Sequence, residues 1–222
     1  MSTLSTTVPI INLKNVSVTS EDENRILAGM NLEINPGEIL GIYGSGGCGK
    51  TTLGYVISGI IPKFLSYELE GEVKYRGKDM KKIDPHDVGK HVGIVFQNPD
   101  YQIFFNTVYR EVGFPVGYKD EKVERIMESI GIDYLKERNS DTLSYGEKKL
   151  VLLASNCGLE PDIIILDEVF SSLDRVHTEK ITDYLKKLKE NGKSVVIIEN
   201  EKRKIPFLTR EYSLSGDLRN GS

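Results

Sequence analysis

The sequence contains no tryptophan and only two cysteines, Cys48 and Cys157, among its 222 residues. Two cysteines are too few for a disulfide framework or a zinc cage, so we expect a chain that works in a reducing, cytosolic setting. No apolar run approaches the roughly 18 residues of a membrane span, and the first residues lack the basic and apolar stretches of a secretory signal. These absences favour a protein that does not itself cross a membrane.

A basic excess is also missing. The 29 lysines and arginines are outnumbered by 33 acidic residues, which gives a formal net charge of −4. Proteins that bind nucleic acid usually carry clustered positive charge, so we expect no nucleic-acid partner. The apolar fraction of 39% and the charged fraction of 28% are typical of a globular chain of one domain with a small subdomain.

What the sequence does contain is an alternation of strand-like and helix-like segments. Alternating residues predict antiparallel strands at 10–18 and 30–34 and a hairpin at 68–79, whereas apolar runs predict buried strands at 39–43, 92–96, 163–166 and 194–198. Helical spacing predicts helices at 51–61, closed by Pro62, and at 120–130, 145–159 and 174–191. This order is typical of an α/β fold with a parallel sheet. A short strand pair and then fraying are expected after Pro206.

A glycine-rich segment follows the predicted strand 39–43. Residues 44–52 read GSGGCGKTT and fit the pattern GxxxxGK(S/T) of a phosphate loop. Glycine lets the backbone curve closely around an anion, and N–H groups at the start of a helix then point at the phosphates. The predicted nucleotide-binding residues are Gly44, Ser45, Gly46, Gly47, Cys48, Gly49, Lys50, Thr51 and Thr52. Lys50 would reach the β and γ phosphates and Thr51 would bind Mg²⁺; the structural alternative is a glycine-rich turn.

Two acids end a later buried strand. Residues 163–168 read IIILDE, and ligands of parallel sheets bind at the carboxyl ends of the strands. We therefore predict that Asp167 holds Mg²⁺ through water and that Glu168 polarises the water that attacks the nucleotide. The structural alternative is a strand that ends in a solvated acidic turn.

Three further motifs indicate one family. Gln97 follows the predicted strand 92–96, residues 143–147 read LSYGE, and residues 171–174 read SSLD. With the phosphate loop and the acid pair, this order resembles the nucleotide-binding subunits of ABC transporters, whose signature is LSGGQ and whose later turn is SALD. The resemblance extends from about Ile11 to Gly221. It implies a phosphate-loop NTPase with a RecA-like core and an antiparallel β-subdomain, both in residues 1–98 and 149–222, and an inserted helical subdomain that carries the signature, residues 99–148.

The resemblance also implies an ATPase mechanism with ATP and Mg²⁺. Two chains, identical or different, would pack head to tail, and each ATP would lie between the phosphate loop of one chain and the signature of the other. Ser144, Gly146 and Glu147 would then contact the partner's ATP. Ser144 also fits the N-cap of a helix whose third residue is Glu147, as in a capping box. Capping and contact with the partner's ATP would both use the start of the same helix. Gln97 is expected to join Thr51 and Asp167 at the metal and Glu168 in catalysis.

A narrower resemblance lies in residues 96–114, FQNPDYQIFFNTVYREVGF. This stretch is similar to one in the ATPases of energy-coupling-factor transporters, which import vitamins and cobalt or nickel. It implies a transmembrane coupling protein, a substrate-binding membrane subunit and a location on the cytoplasmic face of the cell membrane. Residues 99–114 would lie near the groove that receives the coupling helices. For Tyr101, Phe104 and Phe105 the alternative is core packing of the helical subdomain.

The sequence departs from the ABC pattern in the loop after the last core strand. Asn200 stands where most of the family has a histidine, so we expect it in the catalytic group but with slow hydrolysis, because an amide neither takes nor passes a proton. His177 is expected at the surface. Ser20 falls where the family has an aromatic residue against adenine, and Tyr145 replaces the first glycine of the signature.

The leading interpretation is an ATP-hydrolysing subunit that energises a membrane importer. Two alternatives remain at this point. One is a soluble ABC-type ATPase outside transport, although the long coiled-coil insertion or linked second cassette of such proteins is not evident. The other is a regulatory nucleotide-binding subunit with weak hydrolysis, which Asn200 suggests.

Overall fold

The chain folds around one antiparallel and one parallel sheet in a computed structural model that describes residues 8–202, 205 and 207–214. In chain order the strands are β1 (Ile11–Thr19), β2 (Arg25–Ile34), β3 (Ile39–Tyr43), β4 (Glu68–Tyr75), β5 (Lys78–Asp79), β6 (Val92–Val95), β7 (Ile163–Asp167), β8 (Ser194–Glu199) and β9 (Arg210–Ser213). The antiparallel sheet has the order β2-β1-β4-β5, and the parallel sheet has the order β6-β7-β8-β3-β9. The predicted α/β class is confirmed.

Helices surround the parallel sheet and continue between β6 and β7. They are α1 (Lys50–Ile57), α2 (Ile60–Lys63), α3 (Pro85–His91), α4 (Val108–Gly113), α5 (Asp120–Ile130), α6 (Tyr145–Cys157) and α7 (Arg175–Glu190). Short 3₁₀ turns lie at Met80–Lys82, Pro99–Tyr101, Phe114–Val116, Asp133–Leu135, Ser140–Thr142 and Phe170–Ser172. None of the helices in the described ranges is long and apolar enough to cross a membrane.

The parallel sheet is the centre of the apolar core. Every residue of β3, β6, β7 and β8 is buried, as expected when both faces of a sheet are covered. Alternate residues of one strand therefore enter different cores: Val196 and Ile198 face α1 and the antiparallel sheet, whereas Val195 and Ile197 face α6 and α7. The nearly continuous apolar runs of the sequence are explained by this two-sided burial.

Capping residues explain where the later helices begin and end. The Asp174 side chain accepts a hydrogen bond from the backbone of His177 and starts α7, and Gly131 ends α5 with a φ of 79°. Helices α4 and α5 pack against α6. The division of the chain at residues 98 and 148 stays a prediction.

The predicted end of the first helix is wrong. The helix after the glycine loop ends at Ile57 instead of reaching residue 61, because Gly59 turns the chain with a φ of 74°, and Pro62 lies in the separate helix α2. After Pro206 the described residues contain one strand, β9, which adds in parallel to β3 and so pairs the open edge of that strand. A second strand of the predicted pair would lie in residues 215–222, so the pair stays a prediction. The expected fraying concerns residues 215–222, which lie outside the described residues.

The hairpin predicted at 68–79 is smaller than expected. Only Lys74 and Tyr75 of β4 pair with β5, around a tight turn in which Arg76 and Gly77 both have positive φ. Most of β4 pairs with β1 instead. Gly71 lies within β4 at the bulge opposite Asn15, where a Cβ would approach the Asn15 carbonyl oxygen to 2.3 Å.

Candidate active site

Four loops meet at one edge of the parallel sheet. They follow β6, β7, β8 and β3, which are neighbours in the sheet, and they carry Gln97, Glu168, Asn200 and the glycine loop. Because all four strands are parallel, their carboxyl ends lie side by side. A cavity of about 400 Å³ opens between these loops and is lined by Ile26, Gly46, Gly47, Gly49, Lys50, Thr51, Thr52, Gln97, Glu168 and Asn200.

Glycine is required at specific points of the loop after β3. Gly49 precedes α1 with a φ of 98°, and a Cβ there would lie 2.9 Å from the Leu27 side chain. A Cβ on Gly44 would lie 2.6 Å from the Leu214 carbonyl oxygen. At Gly46, by contrast, a Cβ would have no neighbour within 4 Å, because this glycine faces the cavity. The loop thus leaves a backbone-lined space at the start of α1, suited to an anion.

Lys50 lies inside this loop and is only 5% exposed. Its ammonium donates hydrogen bonds to the carbonyl oxygens of Gly44 (2.8 Å) and Ser45 (3.0 Å) and to Oδ1 of Asn200 (2.8 Å). The buried Cys48 Sγ is 3.9 Å from the same ammonium and fills space behind the loop. The positive charge is therefore held at the mouth of the glycine loop by oxygen atoms of the protein.

The Thr51 hydroxyl and the Asp167 carboxyl form a hydrogen-bonded pair near Lys50. The Thr51 hydroxyl donates to Oδ2 of Asp167 at 2.8 Å, and Asp167 is only 1% exposed. Burial raises the pKa of Asp167 to about 6, against the effect of the hydrogen bond from Thr51. Oδ1 of the same carboxyl has no hydrogen-bond partner among the described residues. A hydroxyl beside a carboxylate with an unused oxygen fits Mg²⁺, which prefers oxygen ligands.

Glu168 is the point where the predicted catalytic side chains meet. Its Oε2 accepts from Gln97 Nε2 at 3.1 Å, and its Oε1 accepts from Asn200 Nδ2 at 2.7 Å. Asn200 also accepts from Lys50, so one amide joins the lysine to the carboxylate. The Glu168 backbone has a φ of 51°, and its N–H donates to the Ile198 carbonyl oxygen. A carboxylate oriented in this way is able to position a water molecule for attack.

The signature residues start α6, outside this cavity. The Ser144 N–H donates to Glu147 Oε2 at 2.7 Å, and the Glu147 N–H donates to Ser144 Oγ at 3.3 Å, which is the predicted capping box. A Cβ on Gly146 would lie 2.5 Å from the Ser172 carbonyl oxygen, so the helix packs closely on the turn after Glu168. Ser144, Gly146 and Glu147 do not line the chain's own cavity.

Sequence reasoning did not predict the contacts that two side chains of α6, Tyr145 and Lys149, make with the catalytic loops. The Tyr145 hydroxyl donates to the Gln97 carbonyl oxygen at 2.8 Å. Lys149 is 1% exposed and donates to the Glu168 carbonyl oxygen at 2.7 Å. A signal for Lys149 exists in the sequence, since Leu153 and Cys157 follow it at intervals of four residues and place it on an apolar helix face.

The structure also locates the residues at which the sequence departs from the family pattern. Ser20 does not line the cavity, whereas the aliphatic side chain of Ile26 does, and the described lining contains no aromatic residue. The His177 ring lies between the Asp174 carboxylate (2.9 Å) and the Tyr134 hydroxyl (3.0 Å), where it supports the start of α7. It is not among the lining residues of the cavity.

The segment after Gln97 presents aromatic side chains to solvent. Tyr101 is 76% exposed and Phe104 is 84% exposed, so the core interpretation is wrong for these two residues. Phe105 is half-buried, and its ring lies 5.2 Å from that of Phe114, which is itself exposed. We call Tyr101, Phe104 and Phe114 the aromatic patch. These exposed rings are a candidate interaction surface.

Polar side chains fix the backbone beneath the aromatic patch. Gln102 accepts from the Phe96 N–H at 2.7 Å and donates to the Ile94 carbonyl oxygen at 2.8 Å. Oε2 of the buried Glu111 accepts from the N–H groups of Phe104 and Phe105, both at 2.9 Å. The exposed rings are thus carried by a segment tied to β6 and α4.

Comparison with known proteins agrees with this geometry. A family model described as ABC transporter matches residues 27–171, more than half of the chain. A protein of Pyrococcus furiosus, named as an ABC transporter ATP-binding protein, is 35% identical over 200 residues, which are 87% of this chain and 72% of the relative. A relative of the same description from Saccharolobus solfataricus is 40% identical over 81% of this chain but only 35% of its own length. The chain thus spans about a third of that relative.

Solved structures show the same fold. The ATP-binding cassette MJ0796, solved as a dimer bound to ADP and phosphate in a post-hydrolysis state, aligns with a TM-score of 0.80 and 26% identity, over 93% of this chain and 94% of that one. CbiO1 of Clostridium perfringens, part of the ABC transporter complex CbiONQ, aligns with a TM-score of 0.71 and 28% identity, over 87% of this chain and 79% of that one.

Proposed function

Because this chain belongs to the ATP-binding family of ABC transporters, whose cassettes are ATPases, we propose that it binds MgATP at the glycine loop and hydrolyses it to energise a membrane importer. The observation that carries the proposal is the convergence of Gln97, Asn200 and Lys50 on Glu168 and the glycine loop. The adjacent Thr51–Asp167 pair supports it.

In this proposal each of these residues has a role in phosphoryl transfer. Lys50 would neutralise charge on the terminal phosphates, and Thr51 with Asp167 would hold Mg²⁺, which would supply charge stabilisation at the transferred phosphoryl group. Glu168 orients the attacking water and receives its proton, while Gln97 and Asn200 hold the carboxylate in place. Positioning and charge stabilisation are the main catalytic requirements of this reaction.

The active unit in this proposal is a dimer with two shared sites. Ser144, Gly146 and Glu147 lie outside the chain's own cavity, at a helix start that suits an anion. A head-to-tail partner would bring its ATP to these residues. The dimer of the MJ0796 cassette supports this arrangement by similarity. The partner would be a copy of this chain or a second ATP-binding subunit.

The transport system in this proposal is of the energy-coupling-factor type, for a vitamin or a metal ion. The similarity of residues 96–114 to those ATPases and the likeness to CbiO1 support this assignment. The aromatic patch supports it as well, because it offers exposed rings to an amphipathic helix. A transmembrane coupling protein would dock there, beside a substrate-binding membrane subunit, with this chain on the cytoplasmic face of the membrane.

One observation favours a weaker form of the activity. Asn200 occupies the place between Lys50 and Glu168 with a neutral amide. The second candidate function is therefore a nucleotide-binding subunit whose own site hydrolyses slowly while the partner's site performs most of the turnover.

Substitution of Lys50 tests the proposal. Lys50→Ala removes the cation that would bind the phosphates, and a hydrogen bond to a charged group is worth about 1.5–3 kcal/mol, which is roughly a tenfold to hundredfold loss of affinity. Isothermal titration calorimetry with MgATP measures this loss. Lys180→Ala is the matched control, because Lys180 also donates to a backbone carbonyl, that of Gly131, away from the cavity. Equal affinities of the two variants would exclude the glycine loop as the nucleotide site.

A further inference from the structure

The backbone of Glu168 is held in an unfavourable conformation. A φ of 51° lies in the left-handed region, which costs a residue other than glycine about 1–3 kcal/mol. The surroundings compensate with three hydrogen bonds: the Glu168 N–H donates to the Ile198 carbonyl oxygen at 2.9 Å, and its own carbonyl accepts from Lys149 Nζ and Ser171 Oγ, both at 2.7 Å. The direction of the Glu168 side chain therefore depends on these contacts.

Lys149 is an unusual residue for such a contact. It is 1% exposed, and burial lowers its pKa, in opposition to the nearby carboxylates of Glu199, Asp167 and Glu168. Placing a lysine inside a protein is unfavourable unless its donors are satisfied. Its ammonium bonds the Glu168 carbonyl oxygen and Ser172 Oγ (3.2 Å) and lies 5.0 Å from the centre of the Tyr145 ring.

Tyr145 extends this connection to the second catalytic loop. It lies four residues before Lys149 and therefore on the same face of α6. Its hydroxyl donates to the Gln97 carbonyl oxygen, while the Gln97 side chain donates to Glu168. One face of α6 thus holds the backbones of both residues whose side chains meet at the cavity.

We propose that Lys149 is a positioning residue for Glu168 and that, with Tyr145, it links the start of α6 to the catalytic carboxylate of the same chain. This inference rests on the proposed function, in which the start of α6 contacts the ATP of the partner. Binding of that ATP at α6 would then be transmitted through Lys149 and Tyr145 to Glu168. ATP at one site of the dimer would thereby control the position of the attacking water at the other.

Kinetics of two lysine variants test the link. Lys149→Met keeps an apolar stem of similar length and leaves the Glu168 carbonyl with Ser171 as a donor, so the carbonyl is not left unpaired. We expect kcat to fall about tenfold to a hundredfold, as for misplaced catalytic groups, with KM and MgATP affinity within about twofold of wild type. Lys180→Met, which removes a lysine donor from the Gly131 carbonyl, is the control and should leave kcat unchanged. Both variants are measured with the native ATP-binding partner.

Tyr145→Phe provides a second variant that does not disturb the core. Tyr145 is 45% exposed, and the change removes only the hydroxyl that bonds Gln97. We expect a smaller fall in kcat at unchanged KM. Tyr134→Phe is its control, since it removes a tyrosine hydroxyl that bonds His177 elsewhere. The link is overturned if Tyr145→Phe and Lys149→Met each match their controls, or if kcat falls only in proportion to a lower melting temperature.

Hydrogen exchange separates failure of this inference from failure of the proposed function. In the chain without nucleotide, amide exchange over residues 163–172 should be faster in Lys149→Met than in wild type and Lys180→Met, whatever the chain hydrolyses. Unchanged exchange would overturn the positioning role even in an active ATPase. Absence of MgATP binding by wild type would instead overturn the proposed function, and with it the transmission between sites.

Discussion

Replacing Asn200 with histidine is predicted to accelerate ATP hydrolysis at the site built on this chain's glycine loop. The Asn200 amide accepts from Lys50 at 2.8 Å and donates to Glu168 at 2.7 Å, so residue 200 already lies between the phosphate-binding cation and the catalytic carboxylate. An amide in this position is neutral and neither takes nor passes a proton, whereas imidazole does both. The substitution changes the chemistry of a side chain that is already in place.

The size of the effect follows from the bonds involved. An amide and a protonated imidazole would both donate to the charged γ-phosphate, but only the imidazole adds a positive charge, and two opposite unit charges about 4 Å apart in water attract each other by about 1 kcal/mol. If that attraction acts in the transition state, it gives roughly a fivefold increase in rate. Lys50 keeps its bonds to Gly44 and Ser45 when Asn200 is replaced, so MgATP affinity should stay close to wild type.

The assay is steady-state phosphate release at saturating MgATP, with the native ATP-binding partner present. Asn200→Ala is the control, because it removes both bonds of the amide without adding an imidazole. We expect the histidine variant to be several-fold faster than wild type and the alanine variant to be no faster. The reasoning is refuted if histidine changes nothing and wild-type turnover is about 1 s⁻¹ or more, the lower end of typical enzymes. Equal acceleration by alanine would also refute it.

Three further predictions concern the dimer, the buried acid and the aromatic patch. Glu168→Gln should slow cleavage about 10²–10⁴-fold and trap an ATP-bound dimer that light scattering detects. If only monomer is found at saturating MgATP with the native partner present, the head-to-tail dimer is contradicted. Asp167→Asn should raise the free energy of unfolding without nucleotide at pH 7.5 by up to about 3 kcal/mol. The reason is that burial raises the pKa of Asp167 from 3.8 to about 6, so the wild-type folded state loses stability as pH rises through that window. In urea titrations this gain should vanish near pH 4, and a gain independent of pH would assign it to another cause. Tyr101→Asp and Phe104→Asp should abolish pull-down of the transmembrane subunit with MgATP affinity unchanged, whereas retained pull-down would exclude the aromatic patch as the docking surface.

Sequence reasoning located the loops of the site because their order along the chain has a simple geometric consequence. The segments that carry Gln97, Glu168 and Asn200 each follow a predicted buried strand, and carboxyl ends of parallel strands share one edge. The bridge that Asn200 forms between Lys50 and Glu168 was beyond this reasoning, since it depends on side-chain rotamers that only the folded loops determine.

Side-chain exposure was harder to predict than strand order, because the same residue spacing occurs in buried and in exposed segments. Aromatic spacing in residues 101–105 is equally compatible with a core and with an exposed surface. In the folded chain, Gln102 and Glu111 bind the backbone of this segment, and Tyr101 and Phe104 are exposed. The residue type of Lys149 likewise indicates a polar surface position, although its spacing from Leu153 and Cys157 puts it on the apolar face of α6 that the fold buries. The end of α1 was misplaced because Pro62 is a conspicuous helix breaker, whereas the turn at Gly59 depends on a backbone angle.

The hydrogen bonds of Lys50 make nucleotide binding an exchange reaction. Its ammonium is already satisfied by two carbonyl oxygens of its own loop and by Asn200, so phosphate oxygens replace existing partners instead of relieving an isolated charge. The net affinity gained from Lys50 is then a difference between two sets of bonds. When ADP leaves, the same carbonyl oxygens can again accept hydrogen bonds from the Lys50 ammonium. These restored bonds lower the free-energy cost of separating ADP from the loop. A residue that tightens binding thereby also permits rapid release.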